Sequence, residues 1–337
     1  MARPAKKRRD KGVAASLVAD VGATNARFAL IGRTGAIEAV RVFACADYPS
    51  LQDAIEAYLS ADRPATGGSP VRLRAAALAV AGPVGGDRVT LTNHPWSFSI
   101  RELRRRLGID RLAVVNDFTA VAVATPHLKP VDRSAIGGGA PVASAPIGVL
   151  GPGSGLGVSG VVPCEGRWIP LSGEGGHVTM APTTARESLV LDRMRQRFDH
   201  VSAERLLSGP GLVNLYNTLA EIDGVPAVAY TAAQITDPTI GETDPRCRET
   251  VDMFCAMLGA IAGNLALTLG ARGGIYVAGG IVPKLGAVFA ASRFRERFED
   301  KGRLRPYLES IPTYVITHPL PAFVGLAALL AEQTDSS

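Results

Sequence analysis

The sequence predicts an α/β protein of two lobes separated by a cleft. Three observations support this fold class. Apolar β-type runs alternate with helical patterns along much of the chain, which favours sheets flanked by helices. A strand-turn-strand pattern at residues 17–30 reappears at 147–162, about 130 residues later. The length of 337 residues is sufficient for two domains.

Three β-type runs open the chain in quick succession, at residues 17–21, 26–31 and 37–44, as in an antiparallel meander. Further strands are expected at 75–80 and 112–116, alternating with helical patterns near 50–60 and 99–107. This alternation predicts parallel pairing in the rest of the first sheet.

The second copy of the hairpin is followed by a third strand at 167–170 and then by a mainly helical region. Strands at 274–278 and 313–317 and a closing helix from 320 complete the chain. The Gly- and Pro-rich stretch at 130–146 is expected to link the lobes. The expected parts are a disordered basic tail at 1–15, a small α/β domain at 16–130 on which the C-terminal helix packs, and a large α/β domain at 131–337.

The basic character of the chain is confined to its N-terminus. Six of the 36 Lys and Arg residues and one of the 31 Asp and Glu residues lie in residues 1–12, which leaves 30 of each sign in the rest. A short basic run before the first strand is usually a solvated terminus. We therefore expect no nucleic-acid partner.

One apolar segment, residues 253–271, is long enough to span a bilayer. It contains Asn264 and Thr268 and is only weakly hydrophobic. Gly259 and Gly263 would let another backbone approach it closely. We expect a helix buried in a soluble domain and no membrane partner.

Both hairpin turns expose backbone N–H groups with little side chain in the way, and such turns bind phosphates. The first turn adds Asp20 and Thr24, and the second is the glycine-rich stretch GPGSGLG at 151–157. An ordinary β-hairpin is the alternative for either turn alone. Two matching turns, with Gly279 and Gly280 between a strand and a helix, favour a nucleotide site.

Asn116 and Asp117 close an apolar strand directly before a helix. Helix capping by either residue is the simpler interpretation. In the functional one, strand ends of an open α/β sheet face a crevice, so Asp117 can act as a general base on a substrate hydroxyl.

A third group lies in LSGEGGHVTMAP, where two glycines separate Glu174 from His177. The glycines suggest close approach of a ligand to the backbone, with the carboxylate and the imidazole as hydrogen-bonding groups. A structural loop histidine is the alternative for His177. Glu204 is either a further ligand or a capping-box carboxylate paired with Ser202. Together these groups indicate phosphoryl transfer from a nucleotide to a polyhydroxylated molecule.

The chain resembles the bacterial glucokinases, a family of the hexokinase, actin and chaperone-ATPase superfamily, from about residue 16 to 332. The motifs that carry the resemblance are DVGATNAR (20–27), LAVAGPV (78–84), LTNHPWSFS (91–99), VVNDFTAVA (114–122), GPGSGLGV (151–158), LSGEGGHVTMAP (171–182), SAERLLSGPGLVNLY (202–216) and GGIYVAGGIVPKL (273–285). It implies the two-lobed actin-like ATPase (ribonuclease H-like) fold, with duplicated mixed β-sheet units, flanking helices and a central cleft.

The resemblance also implies an activity, the ATP-dependent phosphorylation of glucose at its 6-hydroxyl as the entry step of glycolysis. Asp117 would be the base, and the other hydroxyls would be held by Asn116, Glu174, His177 and Glu204. The ATP site would comprise a first phosphate loop of Ala19, Asp20, Val21, Gly22, Ala23 and Thr24, a second of Gly151, Gly153, Ser154 and Gly155, and an adenosine contact at Gly279 and Gly280. Asp20 would reach Mg²⁺ through water.

Two positions depart from the family pattern, since Ala23 stands where a second glycine is common and Ser154 where threonine is frequent. We expect a cytoplasmic homodimer that binds glucose and ATP. The alternatives are a kinase for another hexose and, in a different class, an actin- or chaperone-like ATPase or a sugar-responsive regulator.

Overall fold

The computed structural model describes residues 13–32, 34–61 and 71–332. They divide into two compact units: the first extends to Ala120 and includes the chain from Leu320 onward, and the second is Val121–Pro319. The predicted tail at 1–15 lies outside the described residues as far as residue 12. Its last three residues belong to a strand instead, because the first strand begins at Val13.

The predicted strands and helices occur in the predicted order, and the short strands Arg88–Thr90, Ser97–Ser99 and Arg133–Gly137 were not predicted. Up to residue 124 they are β1 (Val13–Val21), β2 (Asn25–Ile31), β3 (Ile37–Ala44), α1 (Leu51–Ala61), β4 (Val71–Val80), β5 (Arg88–Thr90), β6 (Ser97–Ser99), α2 (Ile100–Leu107), β7 (Arg111–Asn116) and α3 (Asp117–Ala124). The chain continues with β8 (Arg133–Gly137), β9 (Ile147–Pro152), β10 (Leu156–Cys164), β11 (Arg167–Leu171), α4 (Ala185–Arg195), α5 (Gly209–Ile222), α6 (Ala232–Ile235), α7 (Pro238–Thr243), α8 (Pro245–Leu269), β12 (Gly274–Val277), α9 (Val282–Leu285), α10 (Ala287–Ala290), α11 (Phe294–Glu299), α12 (Arg305–Glu309), β13 (Thr313–Ile316) and α13 (Pro321–Glu332).

The first unit contains a sheet of strand order β3-β2-β1-β4-β7. The β1–β3 meander is antiparallel, while β4 is parallel to both β1 and β7. The predicted meander and the predicted parallel pairing are both confirmed. Helix α13 packs on β1 and β4, and the Arg111 guanidinium donates to the carbonyl of Leu330 at 3.2 Å.

The second unit repeats this order with later strands. Its sheet reads β11-β10-β9-β12-β13-β8, and β9 is antiparallel to β10 but parallel to β12, which is parallel to β13. The first five positions therefore match the sheet of the first unit strand for strand. The predicted duplication of a mixed β-sheet unit is confirmed.

The stretch at 130–146 is not the free linker that its composition suggested. Residues 133–137 form β8, which pairs antiparallel with β13 at the edge of the second sheet. The Arg133 guanidinium lies 4.4 Å from the ring centroid of Tyr314 and donates to the hydroxyl of Tyr276. These contacts come from strands far along the chain, so local composition did not reveal the strand. The boundary between the two units lies earlier, inside α3.

Helix α8 is the apolar segment that was expected to be buried. Among the described residues it is the one helix with the length and composition of a membrane span, and 78% of its apolar window is buried. A Cβ added at Gly263 would lie 2.5 Å from the carbonyl oxygen of Phe298, and one at Gly259 would collide with the carbonyl of Phe294. The backbone of α11 therefore approaches α8 at both glycines, as predicted.

Candidate active site

The first hairpin turn, Gly22–Thr24, joins β1 to β2. The Gly22 N–H closes it by donating to the carbonyl of Asn25 at 3.0 Å. Cys45, which follows β3, donates its backbone N–H to the Thr24 carbonyl at 2.8 Å, and its Sγ lies 3.5 Å from the Gly22 carbonyl. Among the described residues, the N–H groups of Ala23 and Thr24 have no protein acceptor. The turn thus offers two consecutive amides to an anion.

Asp20 lies at the base of this turn, on the face of β1 opposite to the buried side chains of Ala19 and Val21. Its carboxylate accepts a hydrogen bond from the Arg27 guanidinium at 3.0 Å. Burial raises the pKa of Asp20 above its ordinary range, and the ion pair with Arg27 lowers it only in part. A further cation at this carboxylate would stabilise its charged form.

Asn116 ends β7, and its side chain caps α3. Its Oδ1 accepts the N–H of Phe118 at 2.9 Å and that of Thr119 at 3.3 Å, and its Nδ2 donates to the Gly82 carbonyl at 3.3 Å. The simpler interpretation, helix capping, is therefore correct for Asn116. Asp117 is the first helical residue, and its Oδ1 accepts the same Phe118 N–H at 2.9 Å.

Sheet register brings the first turn and Asp117 to one edge. Val21, the last residue of β1, pairs with Val80 of β4, and Val80 pairs with Asn116 of β7. The three strands are parallel, so all end at the carboxyl edge of the sheet. Ala81 adds a bond across this edge, from its N–H to the Val21 carbonyl at 3.0 Å.

The second hairpin turn, Gly153–Gly155, joins β9 to β10 beyond the buried Gly151. The Gly153 N–H donates to the Gly155 carbonyl at 2.8 Å, and the Gly153 carbonyl accepts the N–H of Gly209 at 2.8 Å. Ser154 is exposed. Within the described part of the chain, the N–H groups of Ser154 and Gly155 donate to no protein acceptor. Each hairpin therefore presents two free consecutive amides.

Gly279 brings the turn after β12 against this hairpin. Its φ is +84°, and a Cβ there would collide with the carbonyl of Pro152. The neighbouring Ala278 N–H donates to the Leu150 carbonyl at 2.8 Å. Gly280 is exposed and has open space around it. A residue other than glycine would be strained at Gly279 by both conformation and space.

Glu174 precedes a single turn of 3-10 helix, Gly175–His177, which ends with His177, and both side chains are exposed. Their glycines have a role that the sequence did not indicate. A Cβ at Gly176 would collide with the Leu156 carbonyl, and one at Gly175 would press on a valine of the same strand, β10. In the structure it is β10 that approaches these two glycines, and the close approach of a ligand stays a prediction.

Glu204 contacts the second hairpin. Its Oε2 accepts the Leu156 N–H at 2.8 Å, and a Cβ added at Gly155 would collide with that same oxygen. The Ser202 side chain makes no capping bond to this turn, so the capping-box interpretation is wrong. A surface cavity of about 490 Å³ is lined by Glu204 and His177 together. Its other lining residues are Arg197, Phe198, Asp199, His200, Ser202 and Arg205.

Comparison with known proteins identifies the family. The family model for glucokinase matches residues 17–333. This chain belongs to the glucokinase family. The glucokinase of Paramagnetospirillum magneticum is 54% identical over 321 residues, which cover 95% of this chain and 98% of that protein.

Two further relatives of this glucokinase-family chain differ in length. The bifunctional protein glk of Paraburkholderia xenovorans is 50% identical over 320 residues, and the match covers 95% of this chain but 49% of that protein. A crystal structure of a glucokinase from an Antarctic psychrotroph is 37% identical, with a TM-score of 0.84, and covers 96% of this chain and 100% of that one. The predicted two-lobed sugar-kinase fold class is thereby confirmed.

Several residues around the glucokinase turns were missed by sequence reasoning. Cys45, Gly82 and Gly209 each bond to a turn or to Asn116 through atoms that have no sequence signature, mostly backbone atoms. Gly82 and Gly209 each carried a signal, since they lie in the quoted motifs LAVAGPV and SAERLLSGPGLVNLY without having been assigned a role. The predicted residues of the first unit meet at one sheet edge, and those of the second gather around the second hairpin.

Proposed function

We propose that this chain is a glucokinase that transfers the γ-phosphoryl group of ATP to the 6-hydroxyl of glucose, giving glucose 6-phosphate and ADP. The family match over residues 17–333 supports the activity. The observation that carries the residue assignment is the register of β1, β4 and β7, which puts Asp117 and the first turn at one sheet edge.

Asp117 is the proposed general base. Its Oδ1 accepts the Phe118 N–H at 2.9 Å, which restricts the orientation of the carboxylate. As the 6-oxygen of glucose bonds to the γ-phosphorus, its proton passes to the Asp117 carboxylate. The bond from the γ-phosphorus to the bridging oxygen then breaks and ADP leaves. Such transfer depends on alignment and charge stabilisation, with little covalent help from the protein.

The two hairpin turns are the proposed phosphate loops. Four amides without protein acceptors among the described residues support this assignment: Ala23, Thr24, Ser154 and Gly155. Gly279 and Gly280 would contact the adenosine. Asn116, Glu174, His177 and Glu204 would bind the other glucose hydroxyls, with Asn116 held in place by its capping bonds.

Mg²⁺ is proposed to bind with ATP, and it would neutralise charge on the phosphates. Asp20 fits such an ion, because Mg²⁺ on a nucleotide needs only one or two carboxylates and keeps several waters. No cluster of three or more His, Cys, Asp or Glu that could hold an ion occurs among residues 13–32, 34–61 and 71–332.

The assembly and location of the protein are proposed from the same resemblance. A homodimer in the cytoplasm, without a nucleic-acid or membrane partner, agrees with the even charge outside residues 1–12 and with the burial of α8. Light scattering coupled to size exclusion tests the dimer, and a monomeric mass contradicts it.

The decisive experiment for the function measures ADP release from ATP with glucose, mannose, fructose, N-acetylglucosamine or no sugar. We expect release that depends on sugar and is fastest with glucose. Equal release without sugar would instead indicate an ATPase. A clear preference for another hexose would correct the substrate.

A further inference from the structure

The second phosphate turn is held by one short segment of the chain, residues 204–209. Glu204 accepts the Leu156 N–H just after the turn, and Gly209 donates to the Gly153 carbonyl at its start, both at 2.8 Å. The Ser208 hydroxyl ties the two ends of the segment by donating to the Glu204 carbonyl at 2.8 Å. The segment therefore forms hydrogen bonds at both ends of the turn.

Among the described residues, the Glu204 carboxylate makes the one side-chain hydrogen bond between this segment and the turn. Its Oε2 occupies the space that a side chain at Gly155 would need, so turn and carboxylate fit closely. The bond uses the Leu156 amide and leaves the amides of Ser154 and Gly155 as the free donors of the turn. Without the carboxylate, the Leu156 N–H loses its acceptor and the conformation of the turn is less fixed.

The second carboxylate oxygen of Glu204 has no hydrogen-bond donor among the described residues. Glu204 also lines the cavity that it shares with His177, another proposed glucose ligand. One oxygen is therefore engaged by the phosphate turn while the other is available to a ligand hydroxyl. This arrangement gives a single side chain access to both proposed substrates.

We propose that Glu204 is a positioning residue of the nucleotide site as well as a glucose ligand, and that it couples the two sites. The inference rests on the proposed glucokinase function. Nucleotide affinity then depends on the Glu204 carboxylate even when no sugar is present. By linkage, glucose bound to Glu204 changes nucleotide affinity by the same factor as nucleotide changes glucose affinity.

Calorimetric titration with MgADP in the absence of sugar tests this proposal. We expect Glu204→Ala to weaken ADP binding about tenfold, the order expected for loss of a hydrogen bond to a charged group. Glu204→Gln keeps an acceptor oxygen and should lose less. Glu174→Gln removes a proposed sugar ligand that makes no contact with the turn, so its ADP affinity should match that of the wild type.

Glu242→Gln, an exposed glutamate in α7, is the matched control for the chemical change. Circular dichroism establishes that each variant is folded. If Glu204→Ala does not fold, the ADP affinity of Glu204→Gln tests the proposal in its place. Wild-type ADP affinity in a folded Glu204→Ala variant would overturn the proposal. If the wild type releases ADP with glucose, this failure leaves the proposed function intact. A wild type that neither binds ADP nor phosphorylates glucose instead refutes the function itself.

Discussion

The two hairpin turns share a backbone design but differ in what holds them. Both are three-residue connections whose first amide closes the turn and whose next two amides have no protein acceptor among the described residues. The first turn, Gly22–Thr24, is supported mainly by the backbone of Cys45, the residue directly after β3 of the same sheet. The second, Gly153–Gly155, is braced by the Glu204 side chain and by Gly209, from a segment outside its sheet.

The charge around the turns differs in the same way. Asp20 at the first turn forms an ion pair with Arg27 and has a raised pKa, whereas one oxygen of Glu204 at the second turn accepts a backbone amide. The two turns thus share a backbone geometry and differ in the contacts that support them. The first turn has the acid suited to a metal ion, and the second is joined to a proposed sugar ligand.

The largest effect is expected from Asp117→Asn, which tests whether the sheet edge of the first turn carries the proton transfer. The amide cannot accept the hydroxyl proton, so kcat should fall on the order of 10² or more with a modest change in glucose KM. Steady-state ADP release measures both constants. Asp110→Asn, at an exposed position before β7, is the control. Near-normal turnover of Asp117→Asn would refute the base assignment.

Gly155→Ala tests the hydrogen bond between Glu204 and the second turn. Its Cβ would collide with Glu204 Oε2 and displace the acceptor of the Leu156 amide, so KM for ATP should rise about tenfold and stability fall by about 1–3 kcal/mol. Gly153→Ala is the matched control, because open space surrounds a Cβ there. Initial rates at varied ATP and thermal melts separate the two variants. Equal behaviour would mean that the Glu204 contact does not hold the turn.

Arg27→Gln tests the charge balance at the first turn. Arg27 lowers the pKa of Asp20, so its removal should raise that pKa further. If ionised Asp20 is required, activity is lost as pH falls through this pKa, and the acid limb of the profile should move to higher pH. Arg72→Gln, an exposed arginine of β4, controls for the loss of positive charge. An unmoved acid limb argues against a role for ionised Asp20.

The smallest effect is expected from Cys45→Ala. The variant loses the Sγ contact with Gly22 but keeps the backbone bond from residue 45 to Thr24. KM for ATP should change by less than about threefold, with a stability loss on the order of 1 kcal/mol. Kinetics and melting temperature measure the two effects. A large rise in KM for ATP would show that the first turn also depends on a side chain.

Local sequence predicted much of the fold and part of the site. The alternation in LVADVGATNARFAL and its repeat at 147–162 gave both hairpins, and the order of the remaining strands followed from their alternation with helices. The position of Asp117 at a strand end followed from an apolar run directly before a helix. Hydrophobic periodicity, turn residues and strand ends depend on residues that are close together in the sequence, so they can be predicted from it.

Features that depend on partners far along the chain could not be predicted in this way. The strand at 133–137 exists because β13 and the aromatic rings of Tyr276 and Tyr314 lie beside it. The glycines before His177 are explained by the approach of β10. The residues at 133–137 and 175–177 do not themselves indicate that β13 and β10 lie beside them.

The sequence by itself determined the two hairpin turns, the acid after β7 and the family. Only the tertiary structure decided what supports each turn, because a hydrogen bond between residues 48 positions apart, such as that of Glu204 with Leu156, forms when folding brings the two segments together. The first turn could be predicted from its own residues, because its closing hydrogen bond joins Gly22 and Asn25, which are three positions apart. The contact of Glu204 with the second turn could not be predicted, since its partner is a backbone amide, a group that nearly every residue has.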